Sequence, residues 1–235
     1  VPLPRAEHAL EMLDRPAPPG EIERNLAELA RLNRLFGGHR ITLCHVRRLL
    51  ARLPHGRTAT ILDVGTGAAD HPVALARWAR RARRPLFVVA LDRDPTVLRT
   101  ARRAAAAYPE IAFVQGDALD LPVRPESVDV VISALTLHHF EPEAAVRHLA
   151  EMAGAARVGG VVNDLARSRV TYAGVWVATR LLTRSAMGRH DGPLSVLRAY
   201  TPREVRALCE KAGLLHARVL RYRKWLRHCV VWEKR

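Results

Sequence analysis

Cysteine is scarce: Cys44, Cys209 and Cys229 stand far apart and without CxxC spacing. Such an odd, scattered set offers neither a disulfide framework nor a Cys-based zinc site, and predicts a reduced, cytoplasmic protein. No run of 18 apolar residues occurs. The nearest stretch, Val170 to Leu182, is too short and carries Arg180, so no membrane span is expected. No signal-peptide pattern opens the chain. Lysine is confined to positions 211, 224 and 234, although 38 basic residues against 23 acidic ones give a net charge of +15. An excess of that size raises nucleic acid as a partner. It is almost all arginine, however, beside abundant alanine, a pairing that GC-rich codon usage produces by itself. Arg77, Arg80, Arg81 and Arg84 fall opposite Leu75, Trp78, Ala79 and Ala82, which reads as a solvated helix face. A nucleic-acid partner is therefore not expected.

What is present is a chain of 235 residues, nearly half apolar, long enough for one domain with a sizeable core. Residues 1–20 hold five prolines and no sustained period, and read as a flexible or loosely docked arm. A helix is expected from Glu21, ended by Gly37-Gly38, and a second over about 41–53. With the arm they form a unit over 1–57, a candidate helical lid. An alternation follows over 58–235. Strands at 60–64, 86–92, 111–115, 128–133 and 161–165 are separated by helices at about 71–83, 95–107 and 142–154. Such spacing implies parallel β-α-β units and a doubly wound α/β sheet. The pattern breaks at 166–200, read as a cap over the acceptor. There Val170, Ala173, Val177 and Leu181 share helical spacing, while His190-Asp191-Gly192-Pro193 reads as loop. It resumes at Thr201-Pro202-Arg203-Glu204, a capping box. Two strands, about 215–222 and 228–233, close the chain; the short loop between them requires an antiparallel pair.

The chemistry centres on Asp63-Val64-Gly65-Thr66-Gly67-Ala68-Ala69-Asp70, between the first strand and its helix. A dinucleotide-binding loop needs a third glycine where Asp70 would instead face a pyrophosphate, and a phosphate-binding P-loop needs Gly-Lys-Ser/Thr. Close backbone approach combined with carboxylates suits a cationic, phosphate-free nucleoside, and S-adenosylmethionine is such a ligand. Asp92, at the end of the second strand, is placed to accept ribose hydroxyls, with Arg93 beside it. Asp117 and Ala118, after the third strand, are placed at the adenine. Ser133, ending the fourth strand, is placed on the methyl-facing side. All lie at strand carboxyl ends, where open α/β sheets bind ligands.

Ile61-Leu-Asp-Val-Gly-Thr-Gly67, Ala90-Leu-Asp92, Gln115-Gly-Asp117-Ala-Leu and Val128-Asp-Val-Val-Ile-Ser133 together resemble the class I S-adenosylmethionine-dependent methyltransferases over about residues 58–233. Ala69 departs from the family's commoner third glycine. The resemblance implies a Rossmann-like, seven-stranded, mostly parallel sheet with an antiparallel C-terminal strand. Residues 32–38, 163–168 and 190–198 look like bacterial natural-product methyltransferases, some of which accompany type III polyketide synthases. That finer likeness implies methylation of a phenolic or resorcinol-like oxygen on a small aromatic molecule. C-methylation of a quinol ring, RNA methylation and a non-catalytic cofactor-binding role are the alternatives. The Asn/Asp-Pro-Pro-aromatic motif of adenine methylation is absent after the fourth strand.

A phenol is mostly protonated at neutral pH, so a base would help; His138, His139 and His190 are the candidates. Asp164, ending the fifth strand, is a candidate to orient a histidine or hydroxyl. Tyr172, Trp176 and Tyr200 are candidate walls for a flat acceptor. Arg34 or Arg40 is a candidate for the cofactor carboxylate. The carboxylate and Asp-Asn pair of metal-dependent catechol-type members are missing, since Ser133-Ala134-Leu135 and Asn163-Asp164 stand there, so no metal is expected.

Overall fold

The computed structural model describes residues 3–15 and 17–234. Seven strands form one sheet: β1 (Ala59–Val64), β2 (Leu86–Asp92), β3 (Ile111–Gln115), β4 (Val128–Ala134), β5 (Ala156–Leu165), β6 (Arg218–Tyr222) and β7 (Arg227–Glu233). Their order is β3-β2-β1-β4-β5-β7-β6. β1 pairs in parallel with β2 and β4, while β7 runs antiparallel to both β5 and β6. The sheet order reverses direction at β1, which is where doubly wound sheets open a crevice. β1 and β4 are buried almost throughout, as strands covered on both faces must be.

Among the described residues, eight α-helices complete the fold: α1 (Pro19–Leu35), α2 (Gly38–Leu50), α3 (Asp70–Arg81), α4 (Pro95–Ala104), α5 (Pro142–Ala155), α6 (Arg169–Leu182), α7 (Ala186–Arg198) and α8 (Pro202–Lys211). α2, α3 and α4 cover one face through Val46, Leu49, Leu75, Ala79 and Ala101. α5 and α8 cover the other through Leu149, Met152, Val205 and Leu208. Local chemistry sets the helix starts. Asp94 accepts from Thr96 N–H ahead of Pro95, and Thr201 and Glu204 exchange the reciprocal bonds of a capping box.

Several elements differ from the sequence reading. α2 is part of the core layer, packed on β4 and β5, and of residues 1–57 it is the N-terminal segment and α1 that line the cavity. β5 begins at Ala156, so Gly159 and Gly160 lie inside it; the Trp232 ring of β7 fills the space a Gly160 side chain would need. The N-terminal arm is docked rather than loose. Arg5 pairs with Glu141 at 2.5 Å, Ala6 N–H donates to Leu197 O, and Met12 and Leu13 N–H donate to the Asp191 carboxylate. Residues 1, 2 and 16 of that arm lie outside the described residues. Arg84 is buried, its guanidinium donating to Leu50 O and Leu53 O, so it is no part of a solvated face.

The segment 166–200 folds as the helical pair α6–α7, with Pro193 inside α7. α6 is the helix that the spacing of Val170, Ala173, Val177 and Leu181 indicates; it turns Val170 (71% exposed), Val177 and Leu181 (77%) outward and lines the cavity with Gly174, Val175, Ala178 and Thr179. Small residues let the helix approach closely there: a Cβ on Gly174 would stand 2.8 Å from Leu226.

Candidate active site

A cavity of about 1060 Å³ opens at the carboxyl ends of the parallel strands, beneath α1, α6, α7, residues 10–15 and Ala17. Its floor is the loop leaving β1. Gly65 and Gly67 take φ of +74° and +53°, and a Cβ on Gly65 would stand 2.5 Å from Thr136 Oγ1. Ala69 takes the same left-handed backbone at +55°, a conformation that costs a side-chain-bearing residue about 1 kcal/mol. Gly65 and Thr66 N–H both donate to Leu91 O, and Gly67 N–H donates to Asp92 at 3.1 Å. The loop is thus fastened to the end of β2.

Three carboxylates surround this loop. Burial raises Asp63 to about 6, against the opposing His71 charge and a 2.6 Å hydrogen bond from the Thr66 hydroxyl. Burial likewise raises Asp92, although the N–H groups of Asp94 and Gly67 hold it down in part. Asp70 behaves oppositely. His71 and His39 outweigh its burial and keep it far below the usual carboxylate range, with His39 Nε2 at 2.5 Å and Asn33 Nδ2 at 2.8 Å.

A second cluster forms the wall after β4. His138 Nδ1 lies 2.7 Å from Asp164, whose other oxygen accepts the His138 backbone N–H at 3.0 Å. His138 Nε2 lies 3.5 Å from Glu11, which also accepts from the Ser195 hydroxyl at 2.8 Å. Burial disfavours the imidazolium, but Asp164 and then Glu11 outweigh it and lift His138 to about 10. His139 lies 3.3 Å from Asp14, which also pairs with Arg198 at 3.1 Å. Glu11, His138 and His139, and separately His39, Asp70 and His71, bring their ligand atoms within 4.8 Å of one another; each group is held by its own carboxylate–imidazole pairs.

Four side chains lining the cavity keep buried polar atoms without partners: Asn25 (both amide atoms), Asn33 Oδ1, His71 Nε2, and Arg227 Nε and Nη1. Buried polar groups are ordinarily satisfied, so such a concentration marks a place for a polar ligand.

A family model described as a methyltransferase domain matches residues 61–160. An uncharacterized methyltransferase of Mycobacterium tuberculosis is 32% identical over 184 residues, which cover 72% of this chain and 88% of that one. The chain belongs to the S-adenosylmethionine-dependent methyltransferases. The demethylmenaquinone methyltransferase of Roseiflexus castenholzii is 37% identical over 113 residues, a stretch spanning 46% of this chain and only 42% of that protein. Magnesium protoporphyrin IX methyltransferase of Synechocystis, solved with bound S-adenosylhomocysteine, shares the fold at a TM-score of 0.57 and 17% identity, covering 85% of this chain and 84% of its own.

The methyltransferase cavity fits its cofactor. Asp63, Asp70 and Asp92 make the loop anionic, which suits a sulfonium and an ammonium and would repel a phosphate; the unpartnered Asn25, Asn33 and His71 atoms remain to meet polar groups. Of the residues singled out in the sequence, Asp63, Gly65, Thr66, Gly67, Asp92, Arg93, Asp117, Ala118, His138 and His139 line this cavity. The others do not. Ser133 is buried beneath it, donating to Val64 O, because the pleat of β4 turns it away and offers Ala134 instead. Asp164 lies behind His138 rather than on the wall. His190 sits on α7 with its side chain 54% exposed, paired with Asp191 at 2.8 Å. Tyr200 is core, its hydroxyl donating to Phe140 O, and Trp176 stacks under Arg180 on the outer face of α6. Tyr172, Arg34 and Arg40 also lie off the wall.

Glu11, Asp14, Asn33, His71 and Arg227 escaped the sequence reading. Two acids inside an apparently loose arm, and a charge opening a buried strand, were the available signals.

Proposed function

We propose that this methyltransferase places a methyl group on an oxygen of a small aromatic, phenolic or polyketide-like acceptor. The observation that carries this reading is the apolar half of the cavity. Leu29, Leu32, Phe36, Leu165, Val175 and Leu226 line it beyond the glycine loop, surroundings suited to a flat apolar body with few polar groups. Bound S-adenosylmethionine supplies the electrophilic methyl. Everything else is the work of the chain's own residues. Asp92 accepts the ribose hydroxyls, and Arg93 flanks them. Asp117 and Ala118 receive the adenine, Gly65, Thr66 and Gly67 give close backbone approach, and Asp63 faces the positive charge. Holding acceptor and donor in line supplies about 7–11 kcal/mol of the barrier in favourable cases.

His138 keeps its proton at neutral pH between Asp164 and Glu11, so its service is positional: it fixes Glu11 at the wall. His139 is the histidine left to take a phenolic proton, with Asp14 orienting its Nδ1. General-base help of this kind is worth about 10²–10⁴-fold. In the test, the protein is incubated with methyl-labelled S-adenosylmethionine and panels of resorcinols, quinols, amines and RNA. Label on a phenolic oxygen is expected, with His139→Asn lowering kcat at saturating substrates. Label found only in RNA or amines would overturn the reading.

The likeness to a demethylmenaquinone methyltransferase favours one second reading, methylation of a quinol ring carbon. A labelled product that keeps all its hydroxyls free would select it.

A further inference from the structure

Among the described residues four arginines are buried: Arg84, Arg167, Arg198 and Arg227. Three are held by the fold. Arg84 donates to two carbonyls, Arg167 pairs with Glu204 at 2.6 Å and donates to Ala199 O, and Arg198 pairs with Asp14 and donates to His139 O. Arg227 differs. It is 4% exposed and lines the cavity, yet its Nε and Nη1 meet nothing, and among the described residues it forms no ion pair. A guanidinium stays charged throughout the physiological range, and burying one without an anion is costly. Burial pushes Arg227 down to about 10 even with Asp164 and Asp70 in the neighbourhood.

The position indicates what would carry the counter-charge. Arg227 opens β7, opposite Leu165 of β5, three places from β1 in the sheet. At ordinary strand spacing that is about 14 Å from the strand bearing the nucleoside loop. On the wall it stands beside Leu165, Gly174, Trp225 and Leu226 of the apolar half, with Asp70 and His71 of the loop side within reach of its charge.

We propose that Arg227 receives a carboxylate on the methyl acceptor, so that the preferred substrates are aromatic hydroxy-acids rather than neutral phenols. This rests on the reading of an aromatic acceptor given above. Charge-assisted bonds from a desolvated arginine would orient the ring and fix which hydroxyl faces the methyl. The methionine carboxylate of the cofactor is the other source of the same chemistry, and the experiment separates the two.

The full-length chain, saturated with S-adenosylhomocysteine, is titrated calorimetrically with 1-hydroxy-2-naphthoate and with 1-naphthol. The naphthoate is expected to bind at least tenfold more tightly. Arg227→Met should remove that preference and leave 1-naphthol and S-adenosylhomocysteine affinities within about threefold. Arg227→Lys, which keeps the buried charge should the methionine variant not fold, should retain a reduced preference. Equal affinity for both probes in the wild type, no binding of the naphthoate, or an undiminished preference in either variant would overturn the proposal. So would a tenfold loss of S-adenosylhomocysteine affinity in a variant, since Arg227 would then serve the cofactor. Because binding and not transfer is read, the outcome is independent of whether oxygen or carbon is methylated.

Discussion

Asp63 gives the most direct check on how the loop chooses its ligand. Its carboxylate is buried, held by a single hydroxyl hydrogen bond from Thr66, and raised from 3.8 to about 6. In the folded, ligand-free chain the neutral form therefore persists up to about pH 6. A ligand whose positive charge faces Asp63 must draw that group into its ionised form. With a pKa of about 6, the ionised fraction is roughly 0.9 at pH 7 and roughly 0.1 at pH 5, so affinity for S-adenosylmethionine should fall about tenfold between them. Asp63→Asn should weaken binding at pH 7 and flatten this dependence. Stability carries the complementary sign. The raised pKa means the cost is absent below about pH 4, grows as pH rises towards 6, and is complete above it. It amounts to about 3 kcal/mol for the rise involved. Ligand-free Asp63→Asn should therefore be more stable than the wild type at pH 7, and the gap should close at pH 4. Calorimetric titration and urea unfolding at pH 4, 5, 6 and 7 read both quantities. Affinity independent of pH from 5 to 7, or the same slope in the variant, would refute the reasoning.

Asp92→Ala should lower S-adenosylhomocysteine affinity by about a hundredfold or more, since the variant loses the ribose acceptor and the anchor of Gly67 N–H; unchanged affinity in a titration would refute the ribose assignment. Gly65→Ala puts a Cβ 2.5 Å from Thr136 at a left-handed φ. A loss of about 2 kcal/mol or more in urea unfolding is expected, with cofactor binding abolished; a variant as stable and as tight-binding as wild type would contradict the loop geometry. Asp164→Asn strips the His138 imidazolium of its nearest carboxylate. Leaving that buried charge half-paired should cost about 3–5 kcal/mol, a fall in Tm on the order of 10 °C. A melting curve superimposable on wild type would show that the pair contributes nothing.

The parts legible in the sequence were those built by neighbours in the chain. A buried run, an acid, two glycines and a helix start lie within a dozen residues, so β1, its loop and α3 could be read directly, and the acid ending β2 likewise. The antiparallel closure followed from loop length alone. Residues whose roles depend on distant partners were not legible. Glu11 acquires its place only because His138 and Ser195 meet it, and Asn33 because Asp70 does. Periodicity marks an apolar face but not which way it turns, and here the small residues Gly174 and Ala178 took the inner side while Val170 and Leu181 went outside. Ser133 was misplaced by a single residue, which in a pleated strand is a change of side.

This division corresponds to a division of labour in the cavity. The side holding the cofactor is made by strand ends and short turns, geometry that any sequence of this pattern reproduces. The opposite side is assembled from residues 10–15, Ala17, α1, α6, α7 and the start of β7, and is fastened by charges. Asp191 takes two backbone N–H groups of the N-terminal segment, Arg198 grips Asp14, and Glu11 sits between Ser195 and His138. A purely apolar docking could slide by a residue at small cost, whereas misplacing a buried carboxylate leaves a charge without its partner. The closing segments are therefore held in one register over the cavity. Arg227 stands out against that background: of the two buried arginines on this wall, Arg198 has Asp14, whereas Arg227 forms no ion pair among the described residues.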